Sequence, residues 1–453
     1  TSENEMLNNN VYYYENKKFY LRNLKKSDIN TAYLSWFENK KNIKLIKNSN
    51  LKKLDDLKNY YQNQIDKKNI FLGIFESKTH KHIGNIKFEK VDHVKKKAYV
   101  GILLGDTTYQ NLGIGSKSLI VACDQIFNKL KIFKIFLSVN KINRHAISTY
   151  KKSGFYIYKL NKKKLTMIRN YFFKKIIIGT ANFENNYGIV NKKKLNKIEK
   201  KKIFKISNKF NISSYDLSEA YNLDLEKINK MTPKNSEIYF KLFQSIVKLN
   251  IKKILSFQRL FFGKLKFVMI HGFKLLININ NKKKINDLKK LSKILPIGIS
   301  VYSPSEVYEA YKLLKFKSVQ VPLNILDQRF LSTSMIKFLK KNEIQLCVRS
   351  IYLQGVLLQN KKFIKLNFPH FFEDFTLFFN KLGNNSKDRK KILTQFIFQN
   401  RDIDKVVIGI DNSKQFKDLI KILDKFYDLK NVDYSEFKIN KLKLIDPSKW
   451  SKN

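Results

Sequence analysis

Short apolar stretches alternate with longer amphipathic ones along most of the chain after residue 174. The clearest apolar stretches predict strands at 176–179, 267–271, 296–302, 318–324, 344–350 and 405–410. Near-continuous apolar strands separated by helices are typical of a parallel sheet that is buried on both faces. About 280 residues of this pattern predict a (β/α)8 barrel.

The chain before residue 174 has a different pattern. A predicted strand, AYVGILLG, leads into the turn 109–116, and apolar side chains then recur at helical spacing from Leu119 to Leu130. This spacing predicts an amphipathic helix that begins at the turn. We therefore expect an α/β protein with a first domain at 11–173, a second at 174–435 and a C-terminal tail at 436–453.

The turn before this helix contains Gly113 and Gly115. Backbone N–H groups at a helix N-terminus can bind a pyrophosphate, and glycines let it approach closely. Taken alone, the pattern fits an ordinary strand-to-helix connection equally well.

A second motif follows the predicted strand 134–140, with the pattern Asn-x-x-Ala-x-x-x-Tyr-x-x-x-Gly-Phe from Asn143 to Phe155. Together with Gln-x-x-Gly-x-Gly at Gln110, it resembles the GNAT acetyltransferases over roughly 11–172. Ribosomal-protein and amino-sugar acetyltransferases are the most similar members. The resemblance implies an α+β fold with a mixed sheet and an acetyl-CoA site between two splayed strands, 97–104 and 134–140.

The same resemblance implies roles for individual residues. Asn143 would face the pantetheine arm of acetyl-CoA, and Tyr150 would protonate the departing thiolate, since a pKa near 10 keeps a phenol protonated at neutral pH. Tyr150 could instead be a half-buried packing residue. The pyrophosphate would be held by the backbone amides of Gln110, Asn111, Leu112, Gly113, Ile114, Gly115 and Ser116.

One catalytic group expected from this family is missing. Many relatives have a glutamate in the strand before the loop, where it takes the proton of the amine through water, and Tyr99 stands at the matching position. The general base is therefore unassigned, with His82 and Glu89 as possible substitutes.

Polar residues follow the predicted barrel strands at their C-terminal ends, where barrel enzymes carry their chemistry. Asp216 and Tyr221 follow the second strand, Lys230 follows the third and His271 follows the fourth. A tyrosine can protonate a developing alkoxide if a lysine, itself paired with an aspartate, lowers its pKa. A histidine can orient the carbonyl.

The order Asp-x4-Tyr, Lys, His resembles the aldo-keto reductase family over about 174–430, as do the segments GTANFENNYGI, GISVYSP and VVIGIDNSKQF. The resemblance implies a nicotinamide cofactor, more often NADPH than NADH, and Lys414 could face a 2′-phosphate. The carboxamide would be held by Ser300 and Gln320, and the pyrophosphate would lie near Arg349 and Ser350. The adenosine end would be held within 409–415, by Gly409, Asn412, Ser413 and Gln415.

The connection between Tyr221 and Lys230 has only eight residues, whereas a parallel crossover needs a dozen or more. The barrel is therefore expected to lack its second helix. Three explanations stay open: a direct connection, a different catalytic lysine, or a barrel that has become an inactive scaffold.

The formal net charge of +53 would favour a polyanionic partner. Only eight of the 90 basic residues are arginines, however, and the lysines are spread over every polar segment, so we expect no specific nucleic-acid site. The chain has no run of the roughly 18 apolar residues that would span a bilayer. Cys123 and Cys347 lie far apart and have no metal-ligand spacing, which suits a reducing compartment. We expect a cytoplasmic protein without membrane insertion or a metal.

The sequence thus predicts a bifunctional enzyme. One half would acetylate an amine with acetyl-CoA, plausibly that of a nucleotide-linked amino sugar in surface-polysaccharide synthesis, and the other would reduce or oxidise a carbonyl with NADP or NAD. The first alternative is an acetyltransferase of protein N-termini or ribosomal proteins with an inactive barrel. The second is a basic binding or scaffold protein.

Overall fold

The computed structural model describes residues 11–14, 16–39, 42, 51–190, 193–248, 250–278, 282–383, 385–426, 433–447 and 450. The chain divides into two compact units, of which the first ends at Tyr171 and the second begins at Phe172. The division lies two residues before the predicted boundary.

The first unit contains an eight-stranded mixed sheet in the order β1-β2-β3-β4-β5-β6-β8-β7. Its strands are β1 (Tyr12–Tyr14), β2 (Phe19–Asn23), β3 (Ile70–Glu76), β4 (His82–Asp92), β5 (Lys97–Leu103), β6 (Lys134–Asn140), β7 (Tyr156–Leu160) and β8 (Lys164–Asn170). Its helices are α1 (Thr31–Leu34), α2 (Leu54–Asp66), α3 (Ile114–Lys129) and α4 (Arg144–Lys152).

Helix α3 is the amphipathic helix that the sequence predicts. Leu119, Cys123, Ile126 and Phe127 are each fully buried, which follows from their i, i+4, i+7, i+8 spacing. Burial of this apolar stripe fixes the N-terminus of α3, and therefore the glycine-rich turn, against the sheet.

The two central strands of the sheet diverge. β5 and β6 are parallel and pair only at Lys97–Lys134, Ala98–Ile135 and Tyr99–Phe136. Beyond Tyr99, β5 continues to pair with β4 as far as Leu103. The backbone edge of β5 that faces β6 is therefore open after Tyr99, as expected for two strands that splay apart at an acetyl-CoA site.

The second unit contains a closed barrel of eight parallel strands, in which β9 pairs with both β10 and β16. The strands are β9 (Ile176–Gly179), β10 (Ser214–Ser218), β11 (Glu237–Leu242), β12 (Leu265–Ile270), β13 (Ile297–Ser300), β14 (Ser318–Pro322), β15 (Gln345–Arg349) and β16 (Lys405–Gly409). The predicted (β/α)8 barrel is confirmed.

Helices follow each barrel strand. They are α5 (Lys197–Lys209), α6 (Leu225–Met231), α7 (Gln244–Val247), α8 (Ile251–Leu260), α9 (Phe273–Asn278), α10 (Lys282–Ser292), α11 (Pro304–Leu313), α12 (Thr333–Lys341), α13 (Lys361–Asn367), α14 (Phe372–Leu382), α15 (Ser386–Gln399) and α16 (Ser413–Asp424), followed by α17 (Leu442–Ile445). Short 3-10 turns lie between these elements, including Glu219–Tyr221 and Val356–Leu358.

The expectation that the barrel lacks its second helix is wrong. Helix α6 lies between β10 and β11, and Asp224 caps it by accepting a hydrogen bond from the Lys227 amide. The third strand begins only at Glu237, beyond Lys230, so the crossover is as long as a parallel connection requires.

The C-terminal residues pack on the barrel. The Ile439 amide donates to the Leu326 carbonyl at 2.9 Å, and Gln328 Nε2 donates to the Tyr434 carbonyl at 2.7 Å. The segment predicted as a tail thus belongs to the second compact unit. Among the described helices, none is both long and apolar enough to cross a membrane.

Candidate active sites

A buried ion pair lies at the C-terminal end of the barrel. Asp216 on β10 accepts hydrogen bonds from Lys241 Nζ on β11 and from Gln320 Nε2 on β14, each at 2.9 Å. The side chains of Asp216 and Lys241 are 2% and 5% exposed. Such burial is tolerated because each charge has a charged partner, and the second carboxylate oxygen also has a hydrogen bond.

Lys230 does not belong to this group. It is exposed on the last turn of α6, and the lysine that pairs with Asp216 is Lys241. The sequence interpretation overlooked EIYFKL as a strand, because it placed the third strand before Lys230. The sequence signal that could have identified Lys241 was a lysine within a run of apolar strand residues.

Tyr221 and His271 lie beside this ion pair, with their ring centroids 6.1 Å apart in an edge-to-face arrangement. Burial, reinforced by the negative charge of Asp216, raises the pKa of Tyr221 well above 10, while Arg349 opposes the shift. The expectation that a lysine lowers this pKa is not met in the structure. Tyr221 is therefore a firmly protonated donor.

His271 is neutral at physiological pH. Burial lowers its pKa to about 3, and the positive charges of Lys241 and Arg349 add to the effect. Its Nδ1 lies 3.5 Å from Ser218 Oγ. A neutral imidazole can donate one hydrogen bond to a carbonyl without carrying charge.

A cavity of about 300 Å³ opens at this end of the barrel. Its lining includes Asp216, Tyr221 and Lys241, together with five residues of the predicted cofactor site: Gln320, Arg349, Ser350, Gly409 and Gln415. The other predicted residues, Lys230, His271, Ser300, Asn412 and Ser413, are not part of the described lining. Ser300 is buried on β13, in register with Gln320.

Two buried amide oxygens near the cavity have no hydrogen-bond partner among the described residues: Gln320 Oε1 and Asn182 Oδ1. An unpaired buried acceptor is costly, so these oxygens suit a ligand that donates N–H or O–H groups. A nicotinamide carboxamide is such a donor, and the residues present therefore fit this cofactor.

The loop after β15 is held in an unusual backbone conformation. Ser350, Leu353, Gln354 and Gly355 have φ angles of 60, 49, 53 and 90°. The buried Arg389 guanidinium fixes the end of this loop by donating to the carbonyls of Leu357, Gly383 and Gln359 at 3.2, 2.9 and 2.6 Å.

The glycine-rich loop of the first unit ends at the N-terminus of α3. Gly113 has a φ of 77°, and the first hydrogen bond that closes the helix is from the Lys117 amide to its carbonyl. The amides of Ile114, Gly115 and Ser116 precede this bond and lie in the first turn, where a helix binds anions. A Cβ on Gly113 would meet nothing within 4 Å, so the space over the loop is open.

Gln110 anchors the loop. Its side-chain Nε2 donates to the Leu104 carbonyl at 2.9 Å, and its amide donates to the Thr107 carbonyl at 3.3 Å. The Gln110 amide, which the sequence predicts to contact a phosphate, is therefore already engaged in the hydrogen bond of this turn.

Asn143 and Tyr150 lie on one helix that contacts the loop. The Asn143 side chain caps α4 by accepting from the Ala146 amide at 2.9 Å, and Ser153 Oγ donates to the Ser116 carbonyl at 3.2 Å. Burial raises the pKa of Tyr150, so its phenol holds a proton at neutral pH.

The two candidate bases lie in different surroundings. His82 is enclosed by Tyr33, Trp36 and Phe75, and its Nε2 is 2.7 Å from Asn85 Oδ1. Burial lowers its pKa. These contacts pack His82 among aromatic side chains.

Glu89 is partly exposed. It pairs directly with Tyr99 across β4 and β5, so the two side chains lie on the same face of the sheet. Its carboxylate is 40% exposed and lies 3.0 Å from Lys87 Nζ. A carboxylate is thus present one strand away from the position where relatives have glutamate.

No group of three or more His, Cys, Asp or Glu residues in the described part of the chain could hold a metal ion. Cys123 and Cys347 are both buried free thiols.

The fold and the sites define a protein with two units, a mixed sheet with splayed central strands and a barrel with a buried Asp–Lys pair. Comparison with known families assigns both. Residues 18–156 match the acetyltransferase (GNAT) domain, and residues 256–439 match the aldo/keto reductase family. The chain therefore contains an N-terminal GNAT acetyltransferase domain and a C-terminal aldo/keto reductase domain.

Individual relatives match the first domain. The spermidine N(1)-acetyltransferase of Escherichia coli K12 is 32% identical over 72 residues, which are 16% of this chain and 38% of that protein. The match thus spans less than half the length of this relative. A spermidine N-acetyltransferase structure from Vibrio cholerae, in complex with CoA and spermine, has 20% identity and a TM-score of 0.30, and covers 34% of this chain and 96% of its own. The ribosomal-protein-S5-alanine acetyltransferase of Vibrio fischeri has 15% identity and a TM-score of 0.31, with coverage of 36% and 97%.

Proposed function

We propose that the chain is a bifunctional enzyme that transfers acetyl groups from acetyl-CoA to an amine and interconverts a carbonyl and an alcohol with a nicotinamide cofactor. The observation that carries the proposal is the presence of two separate sites. The first is an open anion-binding turn beside a protonated tyrosine, and the second is a cavity that contains Asp216, Tyr221 and Lys241.

In the acetyltransferase half, the amides of Ile114, Gly115 and Ser116 would bind the pyrophosphate of acetyl-CoA, and the open edge of β5 would pair with its pantetheine arm. Acetyl-CoA supplies the activated acyl group. Glu89 takes the proton of the acceptor amine, directly or through water, and Tyr150 holds the proton that the departing thiolate needs.

We propose that the acceptor is an amine on an anionic carrier, such as a nucleotide-linked amino sugar, and not a polyamine. A polycation needs free carboxylates, but several acidic side chains of this unit already have cationic partners. The ion pairs are Asp28–Arg22, Asp106–Lys81 and Asp124–Arg169, at 2.7, 2.7 and 3.1 Å.

The acetyltransferase proposal is tested by measuring CoA release with nucleotide-linked amino sugars, spermidine and a peptide with a free N-terminus. We expect turnover with the sugar nucleotides, and a Glu89→Gln variant should lose at least tenfold in kcat with little change in KM, as loss of a general base requires. Asp66→Asn, on α2, serves as a charge-matched control. Turnover with spermidine alone would refute the acceptor, and an unchanged kcat in Glu89→Gln would refute the base.

In the reductase half, a nicotinamide cofactor would lie along the cavity, with Gln320 at its carboxamide and Arg349 and Ser350 near its phosphates. The bound cofactor supplies or accepts the hydride. Tyr221 donates the proton to the developing alkoxide, His271 orients the carbonyl by a hydrogen bond, and Lys241 with Asp216 fixes the charge around the phenol.

Replacement of Tyr221 tests this half. Tyr221→Phe removes the proton donor and keeps the ring that packs against His271, so carbonyl reduction should fall by about a hundredfold or more while nicotinamide binding persists. Tyr308→Phe on α11 is the matched control. Unchanged reduction by Tyr221→Phe would remove Tyr221 from the mechanism.

A further inference from the structure

The end of the cavity beside the last strand is bounded by the start of α16. Asp411, Gln415, Phe416 and Leu419 line it, and Asn412 caps the helix by accepting from the Gln415 amide at 2.9 Å. We call these four lining residues the α16 end of the cavity. In the proposed reductase, the adenosine of the cofactor would lie here.

The Ser413 amide at the start of α16 has an anionic partner. Glu199, on the first turn of α5, accepts a hydrogen bond from the Ser413 amide through Oε2 at 2.6 Å. Its other oxygen accepts from Lys202 Nζ at 2.9 Å. The Ser413 amide and the Lys202 ammonium hold the pKa of Glu199 at about 2, so the carboxylate is ionised at neutral pH.

A second carboxylate lies at the same end. Asp411 lines the cavity two residues before Ser413, and its Oδ1 lies 3.3 Å from Asn182 Nδ2. Lys390 also lines the cavity, and it interacts electrostatically with Asp418 of α16. Lys414, on the first turn of α16, is exposed and lies outside the described lining.

We propose that this barrel binds NADH in preference to NADPH, and that Glu199 and Asp411 determine the preference; the inference rests on the proposed reductase function. NADPH differs from NADH by a phosphate on the adenosine ribose. At a helix N-terminus such a phosphate would bind the free amides, but the Glu199 carboxylate occupies that place and Asp411 adds like charge. A ribose 2′-hydroxyl can instead donate a hydrogen bond to a carboxylate.

Equilibrium binding of the two nucleotides to the full chain tests this preference without requiring a substrate. NADH and NADPH titrations followed by nucleotide fluorescence should give a Kd at least tenfold lower for NADH. In Glu199→Gln, which keeps the acceptor oxygen but loses the charge, NADPH affinity should rise about tenfold while NADH affinity changes little. Asp411→Asn should act in the same direction, and Glu309→Gln, exposed on α11, should leave both affinities unchanged.

The outcomes separate this proposal from the reductase proposal. Equal or tighter NADPH binding by the native chain overturns the preference, and native selectivity that persists in both Glu199→Gln and Asp411→Asn overturns the assigned residues. NADH binding in each variant shows that the barrel has folded. Failure of the native chain to bind either nucleotide would refute the proposed reductase function itself, and the preference with it.

Discussion

Replacement of Lys241 separates the two lysines that could serve the barrel site. Lys241→Met removes the ammonium and keeps most of the volume, so Asp216, which is 1% exposed, retains only its hydrogen bond from Gln320. An uncompensated buried charge costs about 3 to 5 kcal/mol. For a unit of this size, that loss lowers the melting temperature by roughly 10 °C.

The assay is calorimetric unfolding of the full chain together with nicotinamide-dependent carbonyl reduction. We expect Lys241→Met to lose both stability and reduction, and Lys230→Met to retain both, because Lys230 is exposed on α6. A Lys241→Met, Asp216→Asn double variant should recover much of the stability but not the activity, since it removes both charges together. A stable and active Lys241→Met variant, or an inactive Lys230→Met variant, would refute the assignment.

Three further substitutions test the account elsewhere in the chain. Lys405 holds the pKa of Glu237 at about 2, against an ordinary value of 4.5. This ion pair contributes about 2 kcal/mol to the free energy of unfolding, after allowance for partial exposure, and the contribution is present above pH 4.5 and is lost as pH falls toward 2. In Glu237→Gln, the free energy of unfolding measured by circular dichroism should therefore depend less on pH between 4.5 and 2. The buried His271 takes up a proton only near pH 3, whereas the unfolded chain does so near 6.5, so stability should fall as pH drops below 6.5, and His271→Asn should weaken that dependence in pH-dependent denaturant titrations. Gly105→Ala would place a Cβ in the Trp36 ring, so chemical unfolding should show a loss of about 1 to 3 kcal/mol, and an unchanged midpoint would contradict the packing.

The barrel is predictable because its strands are buried on both faces. In the stretch 405–410, every residue after Lys405 is apolar, and the structure has β16 at Lys405–Gly409. The same applies to α3, whose apolar spacing is reproduced in its burial. In each case the signal is local, since a few consecutive residues determine both the element and its buried face.

Lys241 could not be assigned in the same way. Ten residues separate it from Lys230, and in a chain with so many lysines, composition does not distinguish the two. The difference appears only when β10 and β11 pair in parallel and bring Lys241 to Asp216. The contact between Glu199 and Ser413 is still harder to predict from the sequence, because the partners lie 214 positions apart.

The proposed general base, Glu89, was partly predictable from the sequence. Glu89 was a candidate from its position near the acetyltransferase motif, but the sequence did not favour it over His82. Strand register makes the distinction, because it places Glu89 opposite Tyr99, whereas aromatic packing encloses His82.

The central claim, that one chain carries two independent cofactor sites, is tested most directly by calorimetric titration of the full chain with acetyl-CoA and with NADH. We predict one site for each ligand. Gly115→Asp, which has room for its side chain beside Ile102, should abolish acetyl-CoA binding by charge repulsion and leave NADH binding intact. Ser350→Asp should do the reverse. The account would be contradicted if the native chain failed to bind acetyl-CoA or NADH, or if neither substitution changed the binding.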